Sequence, residues 1–437
     1  MKSKFKKGMK LWEKSQKIIS GGGQLLSKKP DFHSPNYWPT YYKKAKGYKI
    51  WDLDGNVLKD FASMGIKSCT LGYANKELND KIITAINKGS MTTLNCFEEY
   101  ELAELFLDIH KWADMVRFAR SGGEACAIAV RLARAYNKKK NIAFCGYHGW
   151  EDWYLSSNLN SKKNLNLQLL PNVQIEGVPS NLKNTIFPFN FNDIESLKRV
   201  LSNDIGIIIM EPYRSTKPDR KFLDYIKKIC SKNKITLILD EITSGFHDNL
   251  GGKHLELDIK PDIAIFGKAI GNGYPISAVI GKKEIMEKAN NTFISSLMWT
   301  ERVGFSAALN TINLMRKYNV QNHLKKYGRL IKKGFEEISK DLKIDLNVGG
   351  MDSMPIITFD KFNDLTSTLF TQKMLGHNYL ANNIPSTSFA YNKKIIGNYL
   401  ETSHDVLKKI RNIINSKKEL SKNIIGDPKL TGFKRLN

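Results

Sequence analysis

The sequence predicts an α/β protein: a large domain on a mainly parallel sheet, and a second, smaller α+β domain. Three observations carry this. Between Asn75 and Phe266, short apolar runs alternate with stretches of helical periodicity, the pattern of strands joined by helical crossovers. Several of those runs end directly on glycine, charged or aromatic residues rather than on simple turns. Beyond Thr300 the pattern changes to long helices followed by shorter segments.

In order, Met1 to Ser20 is basic and amphipathic, with Phe5, Met9, Trp12, Ile18 and Ile19 interrupted by lysines; without a secretory apolar core, it predicts no signal peptide. The stretch Gly47–Gly55, with two short alternating segments meeting near Asp54-Gly55, predicts a hairpin. Leu78, Ile82, Ile83 and Ile86 give one apolar helical face. Strands are expected at Met115–Phe118, Asn141–Cys145, Ile205–Met210, Thr236–Leu239 and Ile263–Phe266, and helices at Arg302–Tyr318, Asn322–Leu342 and Asp405–Ser416. The expected division is 1–75, a segment packing with the small domain; 76–315, the large domain; and 316–437, the small domain.

A chain of 437 residues, at about 150 residues per domain, accommodates two or three domains. Lys and Arg number 68 against 43 Asp and Glu, a net charge of +25. The lysines are scattered rather than gathered in one stripe, so neither a nucleic acid nor a membrane partner is expected. The longest apolar runs are far too short to span a bilayer. Five cysteines, Cys69, Cys96, Cys126, Cys145 and Cys230, form no CxxC pair, which favours a reducing, cytoplasmic compartment over a disulfide framework or a thiolate metal site.

Four segments after the strands carry the chemistry. Arg120-Ser121-Gly122-Gly123-Glu124 opens a helix, where free amides and the lack of side chains suit a phosphate; a plain turn capped by Ser121 explains it equally well. Asp240-Glu241-Ile242-Thr243 closes an apolar strand. A carboxylate at that depth requires a cation or a proton donor, which admits a structural ion pair, and ligation of a hard metal needs more oxygens than this strand end offers. Gly267-Lys268 follows another buried strand, 28 residues after Asp240, about one strand crossing. Lowering an amine from about 10.4 to neutrality needs burial or covalent chemistry; a surface loop lysine is the alternative. Tyr147-His148-Gly149-Trp150 sets an aromatic on a glycine turn, able to lie on a planar ligand or to fill core. Together these are the requirements of pyridoxal 5′-phosphate. A nicotinamide dehydrogenase needs a Gly-x-Gly-x-x-Gly turn that the Ser-Gly-Gly segment does not supply.

With Glu211-Pro212, the Gly-x-Gly-x-Pro tail after Lys268 and the Ser403-His404 region, these motifs resemble the class III, fold-type I aminotransferases, in the branch that includes glutamate-1-semialdehyde aminomutase. The resemblance implies a fold-type I transferase that moves an amino group between an amino donor and a carbonyl acceptor, or within one substrate, and that acts as a homodimer with shared active sites. It implies that Lys268 forms the internal aldimine and shuttles the proton, and that Asp240 holds the pyridine nitrogen protonated. Tyr147 stacks on the ring and Ile242 packs against its other face, with His148 alongside in the cofactor site. Ser121, Gly122 and Gly123 bind the phosphate, and Ser296 or Thr300 approaches the neighbour's cofactor. The chain departs from the family at Gly123, where a threonine is usual, and near Leu297, where a second is. It has Ser27-Lys28-Lys29 where the aminomutase has an arginine, and Ala390 where it has a glutamate.

Overall fold

The computed structural model describes residues 4–166, 168, 173–213 and 215–430. Over these, the chain forms two compact units, one of 4–75 with 322–430 and the other of 76–321. The strands, in chain order, are β1 (Tyr42–Lys46), β2 (Lys49–Asp52), β3 (Val57–Phe61), β4 (Met115–Ala119), β5 (Asn141–Cys145), β6 (Ile186–Pro188), β7 (Ile205–Met210), β8 (Thr236–Asp240), β9 (Ile263–Phe266), β10 (Ser277–Gly281), β11 (Leu346–Met351), β12 (Met354–Phe359) and β13 (Tyr379–Ala381).

The 76–321 unit is a seven-stranded sheet in the order β4-β10-β9-β8-β7-β5-β6. Strands β6, β5, β7, β8 and β9 pair in parallel, and β10 runs antiparallel to both β9 and β4. The sheet is therefore mixed. Neither β10 nor β6 is among the strands expected from sequence: β10 is five residues after a glycine turn, and β6 is three, too short to show a period of two.

Side chains alternate across this sheet. Ile207, Ile209, Ile238, Ile263 and Ile265 pack on one face against Cys126, Ala129, Val130 and Ala133 of helix Gly122–Asn137. Ile208, Met210, Leu237 and Leu239 pack on the other against Phe222, Leu223, Ile226 and Ile229 of helix Arg220–Asn233. Burial on both faces explains why these strands read as unbroken apolar runs. It also leaves polar chemistry only the strand ends.

In the other unit, β1, β2, β3 and β13 form one sheet and β11 pairs with β12. The expected hairpin is β2–β3: Asp52 Oδ1 accepts from Asp54 N and Asn56 N at 3.0 and 2.7 Å, and Gly55 takes φ 90°, a left-handed conformation suited to glycine. The amphipathic N-terminal segment is helical over Lys6–Ile18, with residues 1–3 outside the described chain, and Phe5 and Met9 pack with Ile50, Leu58 and Leu380. The helix expected at Asp405–Ser416 is Lys393–Ile410 instead, and a second helix runs Lys417–Asn423. Its true start is set by Asn392, whose side chain accepts from Ile395 N at 2.9 Å. Among the described residues, no helix is long and apolar enough to cross a membrane.

Candidate active site

Two neighbouring parallel strands bring the acid and the amine together. β8 ends on Asp240, which lies in register with Ile265 of β9, and β9 runs on through Gly267 to Lys268. Three residues beyond Asp240, Thr243 Oγ1 receives the Lys268 amine at 2.7 Å. Lys268 itself has φ 45°, a left-handed backbone that costs a non-glycine residue free energy and clusters at functional positions. The half-buried lysine is thus held at the strand ends rather than on a surface loop.

Asp240 is buried within a built hydrogen-bond set. Its Oδ1 accepts from Ile242 N at 3.0 Å, while its Oδ2 faces His148 Nδ1 at 2.8 Å and Cys126 Sγ at 3.6 Å. His148 Nε2 lies 3.2 Å from Cys145 O, so the ring is fixed at both nitrogens. Cys126, His148 and Asp240 place one ligand-type atom each within 4.8 Å of one another. A metal would need the thiolate. Burial and the adjacent Asp240 carboxylate push the Cys126 thiol well up, so it stays protonated and serves as a donor to that carboxylate.

His148 was expected in the cofactor site, and the structure places it fully buried against Asp240. Cys126 was not singled out from the sequence, although its position on the buried face of helix Gly122–Asn137 is legible there. Thr243 was likewise passed over within the Asp-Glu-Ile-Thr run.

Behind this carboxylate, Glu241 is fully buried and paired. His254 Nδ1 lies 2.9 Å from Glu241 Oε1, His254 N donates to the same oxygen at 2.8 Å, and Ser244 Oγ donates to Oε2. Trp112 Nε1 donates to His254 Nε2 at 2.9 Å. Although burial alone opposes ionisation, these donors together hold the Glu241 carboxyl below the ordinary range. The second carboxylate at this strand end is thus spent on buried hydrogen bonds to His254 and Ser244, whereas Asp240 bonds to His148 and Cys126.

Ser121 caps helix Gly122–Asn137 reciprocally with Glu124: Ser121 N donates to Glu124 Oε2 at 2.8 Å, and Glu124 N to Ser121 Oγ at 3.3 Å. The first-turn amides of Gly122 and Gly123 have no intrahelical acceptor. A Cβ built on Gly122 falls 2.8 Å from Ile242 Cδ1, and one on Gly267 falls 3.4 Å from Ile242 Cγ2. Ile242 therefore spans from the glycine turn to the residue before Lys268. Tyr147 is half-buried, and its amide donates to Glu211 Oε2 at 3.2 Å. The turn, the Tyr147 ring, the Ile242 side chain, the buried carboxylate and the amine fit a phosphorylated pyridine aldehyde by the chemistry of each group.

Segment 296–301 is tied to this turn within the same chain. Trp299 Nε1 donates to Glu124 Oε1 at 3.1 Å and Arg120 Nε to Met298 O at 2.7 Å. Thr300 Oγ1 donates to Leu297 O at 2.8 Å, and Ser296 is half-buried at the start of a short 3₁₀ turn.

Solved structures share this fold closely. The internal aldimine form of the FumI protein of Sphingopyxis sp. MTA144 matches with a TM-score of 0.86 at 22% identity, over 96% of this chain and 100% of that one. A glutamate-1-semialdehyde aminomutase from Pseudomonas aeruginosa PAO1 matches at 0.78 and 16% identity, over 93% and 95%. The fold is that of the fold-type I pyridoxal-phosphate transaminases. In sequence, residues 32–377 match the model of the class-III aminotransferases. The chain is 30% identical to 3-aminobutyryl-CoA aminotransferase of Cloacimonas acidaminovorans, over 86% of this chain and 90% of that protein. It is 31% identical to a glutamate-1-semialdehyde 2,1-aminomutase of a Sulfurihydrogenibium species, over 81% and 83%. The chain belongs to the class-III aminotransferase family. It is an enzyme that uses pyridoxal phosphate to move an amino group on small molecules.

Proposed function

We propose that this enzyme is an intermolecular transaminase, with Lys268 as its covalent lysine and Asp240 as the partner of the pyridine nitrogen. One relationship carries the reading: the Lys268 amine bonds to Thr243, three residues after Asp240, at the ends of adjacent parallel strands. When bound, pyridoxal phosphate supplies an electron sink for the carbon that loses its proton. The chain's residues do the rest. Lys268 holds and moves the proton through its amine, and Asp240 orients the ring through its nitrogen. Tyr147 and Ile242 bound the flat faces, and the Ser121–Gly123 amides take the phosphate.

Transfer between two substrates is preferred over transfer within one because of Ala390. A Cβ on Gly72 falls 3.0 Å from the Ala390 methyl, which also lies 4.0 Å from the Cβ position of Gly47. This position presents a methyl between two glycines, where the aminomutase pattern has a carboxylate.

A homodimer is part of the same reading. In the 76–321 unit, Leu94, Phe97, Tyr100, Phe293, Leu297 and Met298 are all exposed. Segments 88–91 and 300–302 are joined by Arg302 N to Ser90 O at 2.9 Å and by Thr300 Oγ1 to Met91 Sδ at 3.3 Å. An apolar surface of this kind suits a second copy of the chain. The cysteines are free among the described residues, which supports a reducing, cytoplasmic setting.

The test is direct. Glutamate alone is mixed with the holoenzyme, and release of one equivalent of 2-oxoglutarate, with conversion of the cofactor to its amine form, is expected. Borohydride reduction followed by peptide mapping is expected to place the label on Lys268. A label on another lysine removes the assignment, and turnover by Lys268→Ala at the wild-type rate does the same. Light scattering is expected to give twice the chain mass, and a monomer refutes the dimer.

A further inference from the structure

Gly123 stands where the family places a hydroxyl-bearing threonine, and the structure shows what fills the space. A Cβ built on Gly123 falls 2.8 Å from Glu151 Cδ and overlaps Glu151 Oε1. A Cβ on Gly149 overlaps Glu151 Oε2 and lies 3.1 Å from Gly123 Cα. The Glu151 carboxylate is thus wedged between two glycine backbones, one of them in the first turn of helix Gly122–Asn137. Trp150 N donates to Glu151 Oε2 at 3.1 Å. A second carboxylate, Glu124, acts on it as a like charge. Arg120, just before the turn, bonds to Met298 O and Glu301.

We propose that Glu151 is a specificity residue of the phosphate turn that weakens the hold on a doubly charged phosphate and so sets how readily the cofactor leaves. This rests on the cofactor reading above. Two like charges at contact distance repel, and the repulsion is strong in a half-buried site. A phosphate seated on the Gly122 and Gly123 amides therefore displaces Glu151 or coexists with its charge. Either event costs affinity that Ser-Gly-Thr turns do not lose. Burial, with Glu124 alongside, already holds the Glu151 carboxyl above the ordinary range.

The experiment measures equilibrium binding of pyridoxal 5′-phosphate and of unphosphorylated pyridoxal to the apoenzyme of wild type, Glu151→Gln and Glu151→Ala, by absorbance. Both variants are expected to bind the phosphate ester about tenfold more tightly, a change of about 1.4 kcal/mol, with pyridoxal affinity shifted less than about twofold. The pyridoxal arm reports directly whether each variant keeps its folded site. Equal or weaker binding of the phosphate ester by both variants overturns the proposal, and so does an equal gain for pyridoxal. In either case wild-type binding and Lys268 labelling leave the cofactor reading standing. Failure of wild type to bind the phosphate ester at all overturns both.

Discussion

His148 Nδ1 stands 2.8 Å from Asp240 Oδ2, and both side chains are buried. The ring that follows β5 therefore positions the carboxylate that ends β8, across the intervening strand β7. A buried carboxylate keeps its aim only while its lone pairs are satisfied.

His148→Ala removes that partner. A hydrogen bond to a charged group contributes roughly 1.5–3 kcal/mol, so kcat is expected to fall about tenfold to a hundredfold, with a smaller change in KM. Wild-type kcat in this variant refutes the positioning role. A change in the absorption maximum of the bound cofactor is the accompanying signature that a purely structural residue does not produce.

Gly122→Ala sets a methyl 2.8 Å from Ile242 Cδ1. The clash is with the end of a flexible side chain, so the fold is expected to survive and cofactor affinity to drop. Ile242→Val removes that Cδ1. The double variant is expected to regain about 1 kcal/mol or more of the loss, read as cofactor dissociation constants in a four-member cycle. Simple additivity in that cycle rules out the contact as the cause.

His110 is fully buried in unit 76–321, among Phe106, Phe246 and Phe266, with its ring 5.6 Å from that of His254. Burial, reinforced by His254, lowers it from 6.5 to about 4. Its Nδ1–H donates to Phe106 O at 2.9 Å, and its Nε2 has no hydrogen-bond partner among the described residues. The unfolded chain binds this proton first, so the contribution of His110 to stability is intact above about pH 6.5 and is lost as pH falls toward 4. The loss at pH 4 is about 3 kcal/mol. In denaturant titrations across that window, His110→Phe is expected to flatten the slope by roughly this amount. An unchanged slope shows that the ring is already charged or hydrated in the fold.

Much of the fold is legible in the sequence because two-sided burial leaves a plain mark. Ile205–Met210 and Ile263–Phe266 are unbroken apolar runs, and each is a strand with both faces covered. The strand Ser277–Gly281 escapes the same reading because its five residues follow directly on a turn, and its antiparallel pairing depends on where β4 lies. Residue identity singles out Asp240 and Lys268, although an ion pair explains the one and a surface loop the other until both are placed at the ends of adjacent strands.

What sequence alone determined is the strand-end chemistry, which residue types stand after which strands and hence a site suited to a phosphorylated aldehyde; the resemblance to the class III aminotransferases added the transfer of an amino group. Only the tertiary structure decided the partners. Thr243 on the Lys268 amine, Cys126 and His148 on Asp240, and Glu151 against Gly123 are contacts of side chains in three dimensions. Local periodicity records which face a residue takes. It carries no information about which distant side chain meets it there, since that follows from sheet order and from the close packing of the crossovers.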